Sequence, residues 1–114
     1  MQEKINLQTL LSQGNKHLQV SSFALLCLGI TESLSNGLIT VTDSFRFFFN
    51  AENCLYVRNH LKDKIADQIM GHGIQLPDLF DILPSDEAQR EFQREIVMIH
   101  TLCLQLLDNQ KVAA

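Results

Sequence analysis

An apolar stripe with the spacing of an α-helix runs through the last third of the chain. Its members follow one another at steps of four, four, three, four and three residues: Ala88, Phe92, Ile96, Ile99, Cys103 and Leu106. Because side chains three or four residues apart share one face of a helix, the stripe predicts a long helix with one buried face. Ser85 is placed to cap its N-terminus, since a serine hydroxyl accepts a hydrogen bond from a free N–H of the first turn. The buried face requires other elements to pack against it.

A second, more apolar helix is predicted to begin after Ser21 or Ser22, both of which are good N-caps. It ends at Asn36-Gly37, because glycine readily adopts the left-handed conformation that closes a helix. Its longest apolar run, Phe23 to Ile30, is much shorter than the roughly 20 apolar residues that a membrane span needs. We therefore expect a central core helix, with Glu32 as its charged residue, and no membrane partner.

Residues 38–49 predict a third helix. Thr40 and Asp43 have the spacing of a capping box, which would begin a helix that contains Phe45, Phe47, Phe48 and Phe49. A short strand at Leu38 to Thr42 is the alternative, because β-branched residues are frequent there. No second strand is predicted to pair with it, so we favour the helix.

Two further helical segments are predicted between these elements and the last helix. Asn50 is placed to cap a longer helix from Ala51 to Met70, which Gly71-His72-Gly73 would end. A short helical piece follows from Leu76 to Leu83, with Pro77 in its first turn, where proline is well tolerated.

Length and composition indicate one domain. The chain has 114 residues, of which 46% are hydrophobic and 19% charged, so it is not a disordered or low-complexity protein. A chain of this length buries roughly two-thirds of its extended surface. We predict an all-α fold: residues 1–114 form a single domain of five or six helices packed as a compact bundle, and residues 107–114 form a frayed tail.

Charge and cysteine usage indicate where the protein works. A net charge of −4 has the wrong sign for a general binder of nucleic acid or anionic membranes, so we expect neither as a partner. A helix-turn-helix regulator is a weak alternative, because the chain has no clearly basic helix. Cys27, Cys54 and Cys103 are odd in number and far apart, as in a reduced cytoplasmic protein. The N-terminal residues lack the pattern of a secretory signal.

Residues that could carry catalysis are few and scattered. Glu32 is a lone carboxylate in an apolar helix, which would be of functional interest if it were buried. His100 and Cys103 lie three residues apart, but they are half of a zinc site, which His60 or Cys54 would have to complete. We therefore predict a non-enzymatic protein with no cofactor and no metal site. The alternative is a small hydrolase or metal-binding protein of unknown substrate, centred on Glu32 or on His100 and Cys103.

Acidic residues are concentrated between Asp78 and Glu95. Six acids stand against two arginines there, a balance of −4 that equals the net charge of the whole chain. Such a surface attracts a basic partner and steers its approach. The residues that we predict to bind a partner protein are Asp78, Asp81, Glu87, Glu91 and Glu95.

Two apolar stretches, Phe23–Ile30 and Phe45–Phe49, are generous for a domain with few charges in its first half. Small domains often bury such surface in a symmetric dimer. A homodimer is therefore a further expectation.

The stretch from Leu28 to Thr40 resembles the signature of a small, functionally uncharacterised bacterial family, whose members read roughly Leu-Gly-x-x-Glu-Ser-Leu-x-x-Gly-x-Ile. Phe47–Asn50 and Asp78–Pro84 resemble later parts of that family. The resemblance implies a helical fold and supplies no reaction and no catalytic residues. In size and charge alone, the chain also resembles bacterial immunity proteins and antitoxins. That resemblance implies a non-enzymatic protein-binding module that blocks a basic toxin in the cytoplasm.

Overall fold

The computed structural model describes residues 4–12 and 14–111. Their regular structure consists of α1 (Leu7–Leu10), α2 (Lys16–Ser35), α3 (Val41–Phe47), α4 (Ala51–Tyr56), α5 (Lys64–Ile74), α6 (Leu76–Ile82) and α7 (Ser85–Lys111), with a π-helical turn, Val57–Leu61, that continues α4. Within these described ranges there is no strand, and six of the helices have six residues or more. The predicted all-α bundle of five or six helices is confirmed.

The helices α2 and α7 form an antiparallel pair at the centre of the molecule. His17 at the start of α2 lies 2.7 Å from Gln110 near the end of α7, measured between Nδ1 and Oε1. Farther along the pair, the buried thiols of Cys27 and Cys103 lie next to each other. All six members of the apolar stripe on α7 are buried, which confirms the predicted face. The helices α5 and α6 also pack against α7, so that it contributes to one continuous core.

The start of α2 differs from the prediction. Asn15 caps the helix by accepting a hydrogen bond from its first turn at 2.9 Å. Ser21 and Ser22 therefore lie inside the helix, and the predicted start at these serines is wrong. The preceding Gly14 has a φ of +86°, a conformation that favours glycine and turns the chain into the cap. The other end is as predicted, because Gly37 is left-handed with a φ of +71°.

The single helix predicted from Ala51 to Met70 is wrong, because the chain breaks at Lys62 and Asp63. Lys62 adopts the left-handed conformation with a φ of +50°. Asp63 then accepts hydrogen bonds from the backbone N of Ile65 at 2.9 Å and of Ala66 at 3.0 Å. A short carboxylate that binds free N–H groups favours a helix start over continuation of the previous helix.

The glycines of Gly71-His72-Gly73 do not end α5, which continues to Ile74, so this predicted helix stop is also wrong. Gly73 has a packing role instead. The ring of Phe49 lies directly against it, and a Cβ at position 73 would overlap the ring.

The start of α3 is as predicted. The Thr40 hydroxyl accepts a hydrogen bond from the N of Asp43 at 3.0 Å, and the Asp43 carboxylate accepts one from the N of Thr40 at 3.2 Å. This capping box confirms the helix over the strand.

Both ends of α7 differ from the prediction by a few residues. The helix begins at Ser85 itself, so this serine belongs to the first turn and is not the cap. It continues to Lys111, so residues 107–111, which were expected to fray, are helical. Residues 112–114 of the predicted tail lie outside the described residues.

Among the described helices, α2 alone is long and apolar enough to cross a membrane by length and composition. Seven of its side chains are nevertheless buried within the protein. In this globule it is the central core helix that the sequence predicts.

Candidate protein-binding surface

Four carboxylates stand free on α6 and the first turn of α7. Asp78, Asp81, Asp86 and Glu87 are exposed, and none of them forms an ion pair or a side-chain hydrogen bond with another described residue. Since α6 packs against α7, these carboxylates belong to one region of the molecule. We call these four residues the acidic surface.

The other two predicted partner-binding residues have internal partners. Glu91 lies 2.8 Å from Arg94, between Oε1 and Nη1. Glu95 lies 2.7 Å from His72, between Oε2 and Nδ1, and this contact joins α7 to α5. Both carboxylates are thus partly committed to the structure of the chain. The predicted set divides into three free carboxylates and two paired ones, and Asp86 joins the free ones.

Exposed apolar side chains accompany the acidic surface. Phe80 is 43% exposed and Ile82 is 76% exposed, both on α6. The Phe80 ring packs against Phe92 of α7 in a tilted arrangement, with 5.7 Å between the ring centroids, so it is held in place while one side stays open. The sequence analysis missed both residues. The available signal was that Leu76 and Leu79 already supply the inward face of so short a helix.

A hollow of about 420 Å³ adjoins this region. It lies between the start of α3 and α6, and its lining consists of Thr40, Val41, Thr42, Pro77, Phe80 and Asp81. The hollow therefore offers an apolar ring and a free carboxylate side by side. A basic side chain with an apolar stem, such as arginine or lysine, fits that chemistry.

Of the residues considered for catalysis, Glu32 and His100 lie together on the surface, and Cys103 lies in the core. Glu32 is exposed and accepts a hydrogen bond from Asn36 Nδ2 at 2.9 Å. His100 is also exposed, and the two residues line one cleft of about 190 Å³ between α2 and α7. Cys103, three residues from His100, points the other way and is fully buried.

The residues considered as zinc ligands do not lie together. His60 stacks on Tyr56, with 4.9 Å between ring centroids, and Cys54 lines a separate groove between α4 and α5. Within residues 4–12 and 14–111, no group of three or more histidine, cysteine, aspartate or glutamate residues is arranged to hold a metal ion.

Two of the three cysteines, Cys27 and Cys54, have thiols that resist ionisation. Burial raises the pKa of the Cys27 thiol, and contact with Cys103 raises it further. Burial also raises the pKa of the half-buried Cys54, an effect that Arg58 opposes and Asp67 reinforces. Because the thiolate is the reactive form, both thiols are less reactive at neutral pH than that of an ordinary exposed cysteine.

No family model, no curated protein and no solved structure matches this chain. The family resemblance of the segment from Leu28 to Thr40 stays a prediction.

Proposed function

We propose that the protein is a non-catalytic binding module whose acidic surface receives a basic region of a partner protein. One combination of features carries the proposal: free carboxylates share two adjacent helices with the exposed side chains of Phe80 and Ile82. Charge and apolar contact are thus offered at the same place.

The charges favour recognition over stability. Asp78 and Asp81 lie three residues apart on α6, and like charges at that spacing destabilise a helix by about 0.2–0.5 kcal/mol. Across the described chain, no ion pair offsets them. A basic partner would remove this repulsion on binding, and the field of the carboxylates would accelerate its approach.

The apolar side chains would supply the affinity. Interfaces draw most of their binding energy from a few aromatic and arginine anchors, and charged residues around them set specificity and association rate. Phe80 is held by Phe92, so it loses little conformational freedom when a partner covers it. Ile82 extends the apolar contact along α6.

The partner class that fits this chemistry is a basic toxin domain, and the protein would act as its immunity protein or antitoxin in the cytoplasm. By covering a basic active site, the acidic surface would block substrate through bulk and charge together. The support consists of the small size of the chain, its net charge of −4 and the free carboxylates.

The second candidate function is a small hydrolase. It is favoured by the cleft that Glu32 shares with His100, where a carboxylate and an imidazole line one cavity. Turnover of ester or phosphoester substrates that is lost in both Glu32→Gln and His100→Gln would support it over the binding module.

The test of the binding module is capture from a lysate of the organism that encodes the protein, with two variants of equal charge change. The first neutralises the acidic surface: D78N, D81N and E87Q. The control neutralises three exposed acids elsewhere: E52Q, D67N and D108N. Quantitative mass spectrometry of the captured proteins compares both variants with the wild type.

We expect a basic protein that is captured by the wild type and by the control variant, and that is reduced at least tenfold with the first variant. If both variants reduced capture equally relative to the wild type, net charge would matter and the acidic surface would not. If neither variant reduced capture, the acidic surface would not be the binding site. Absence of any specifically captured protein would contradict the proposal.

A further inference from the structure

The outer face of the α2–α7 pair is apolar and open. Leu18 and Leu25 on α2 and Val97 and Leu104 on α7 are all exposed, Leu25 by 60% and Val97 by 63%. Leu18 and Leu25 are seven residues apart, as are Val97 and Leu104, so the two residues on each helix lie on the same side of it. We call these four residues the dimer face.

The two stripes of the dimer face adjoin each other. Glu32 is seven residues beyond Leu25 and continues its stripe, and it lines the same cleft as Val97. The contacts of His17 with Gln110 and of Cys27 with Cys103 fix the antiparallel register. In that register, Leu25 lies level with Leu104. The leucines therefore form the middle of a continuous two-helix surface.

Gly29 adds a reason to expect a closely approaching helix. Glycine is a poorer helix former than alanine, yet Gly29 lies within α2, is exposed and has no positive φ. No described atom outside its own helix lies within 4 Å of a Cβ built there. Gly71 is equally open, so an open position alone does not indicate a helix contact. Gly29 differs because it lies one turn from Leu25 on the dimer face, where a flat position allows two helix backbones to come close.

We propose that the dimer face binds a second copy of this chain, with α2 antiparallel to α2 of the copy and the two-fold axis close to Leu25 and Leu104. A two-fold axis brings a patch against itself, so the four central leucines would meet and Gly29 would face the small Ser21 of the copy. Along the full length of α2, the contact would be about 30 Å long and ~20 Å wide, or roughly 600 Å² per copy, which reaches the lower end of stable interfaces, about 1,200 Å² in total.

Charge also selects a second copy in this orientation. Lys16 and Glu32 are the charged residues of α2, and both are exposed. Antiparallel docking of α2 on α2 of the copy brings Lys16 of each copy close to Glu32 of the other, whereas parallel docking would place like charges together.

This interface leaves the acidic surface free. The dimer face uses the middle of α7 and the part that follows, from Val97 onward, and the acidic surface uses α6 and the first turn of α7. The inference therefore does not rest on the proposed function, and either can fail alone.

Sedimentation velocity between 10 µM and 1 mM tests the dimer. We expect the wild type to shift from monomer to dimer with concentration and Leu25→Arg to weaken the dimer at least tenfold, because two arginines would meet at the axis. Leu38→Arg is the matched control, since Leu38 is exposed outside this face, and it should leave the dimer unchanged. Thermal unfolding of each variant verifies that the fold is kept.

Cross-linking tests the register, in a Cys54→Ser background because Cys27 and Cys103 are buried. Under mild oxidation, Leu25→Cys should cross-link to itself. Leu18→Cys should not, since antiparallel docking holds the two positions about 20 Å apart, but it should cross-link to Glu32→Cys in a mixture. A wild type that stays monomeric at 1 mM overturns the inference. So does a dimer that survives Leu25→Arg, or one in which Leu18→Cys links to itself. Binding of the monomer to lipid vesicles through this face would assign the face to a membrane instead of a second copy.

Discussion

At the scale of single residues, Asn53 is the most demanding position, because it is a buried polar side chain. Its Nδ2 donates to the carbonyl oxygens of Ile5 and Phe48, both at 2.9 Å. Its Oδ1 accepts a hydrogen bond from the N of Leu7 at 3.3 Å. One amide therefore ties the N-terminal segment to the end of α3 and to α4. It is the hydrogen-bond partner of the Ile5 carbonyl and of the Leu7 N–H, which would otherwise lose their partner, whereas the Phe48 carbonyl also accepts a hydrogen bond from the N of Asn50.

Replacing Asn53 by alanine should lower the free energy of unfolding by about 2–3 kcal/mol, since it strands these backbone groups. Asn59→Ala, at an exposed site on the π-helical turn, should change it by less than about 0.5 kcal/mol. Urea denaturation of both variants provides the comparison. Equal effects would mean that the amide does not hold the N-terminal segment.

The buried thiol of Cys27 makes stability depend on pH. Burial raises the pKa of this thiol in the fold, whereas in the unfolded chain it ionises from about pH 8.5. At alkaline pH the unfolded state then binds fewer protons than the fold, so the free energy of unfolding falls as pH rises, by at most about 1.4 kcal/mol per pH unit for one thiol. At neutral pH this contribution is fully present.

We expect Cys27→Ala to show a shallower fall of the free energy of unfolding between pH 8.5 and 10.5 than the wild type, whatever its effect at pH 7. Urea denaturation at several pH values measures both slopes. Identical slopes would show that the thiol ionises equally in both states.

At the scale of elements, local patterns predicted some boundaries and distant contacts decided the others. The box of Thr40 and Asp43 and the stripe on α7 lie within a few turns, so the sequence alone was sufficient. The helical glycine at 73 depends on the ring of Phe49, which comes from another part of the chain. No local pattern shows that contact, so a helix stop was the natural interpretation.

For the candidate surface, too, local sequence predicted one part and distant contacts decided the rest. The sequence predicted the acidic region from composition, because charges on a short segment stay near one another in any fold. It could not separate Glu95, which contacts His72 of α5, from the free carboxylates. It also missed Phe80, whose exposure depends on how many other residues of α6 fill the core.

The two glycines of α5 should respond oppositely to alanine. Gly73→Ala should destabilise the fold by about 1–3 kcal/mol, because the new methyl group overlaps the Phe49 ring. Gly71→Ala should stabilise it by up to about 1 kcal/mol, because the position is open and helical. Thermal and urea unfolding distinguish the two. Stabilisation by both would mean that Phe49 does not pack on α5 as described.

At the scale of the whole molecule, α7 connects the two surfaces and separates them. Its first turn, together with α6, carries the acidic surface, and its second half adjoins α2 on the opposite part of the helix. A helix of 27 residues spans about 40 Å, so a basic partner and a second copy of the chain can bind at the same time. A dimer would then present two acidic surfaces to its partners.

The association rate of the captured basic protein, measured at several salt concentrations, tests the central claim most directly. For the wild type and for the control E52Q, D67N and D108N, the rate constant should fall steeply between 20 and 300 mM salt, because screening weakens steering by exposed charges. For D78N, D81N and E87Q, it should be at least tenfold lower at 20 mM salt and nearly independent of salt, with an unchanged fold. A rate constant that ignores both salt and these three substitutions would contradict the account and leave the acidic surface as a solvated face.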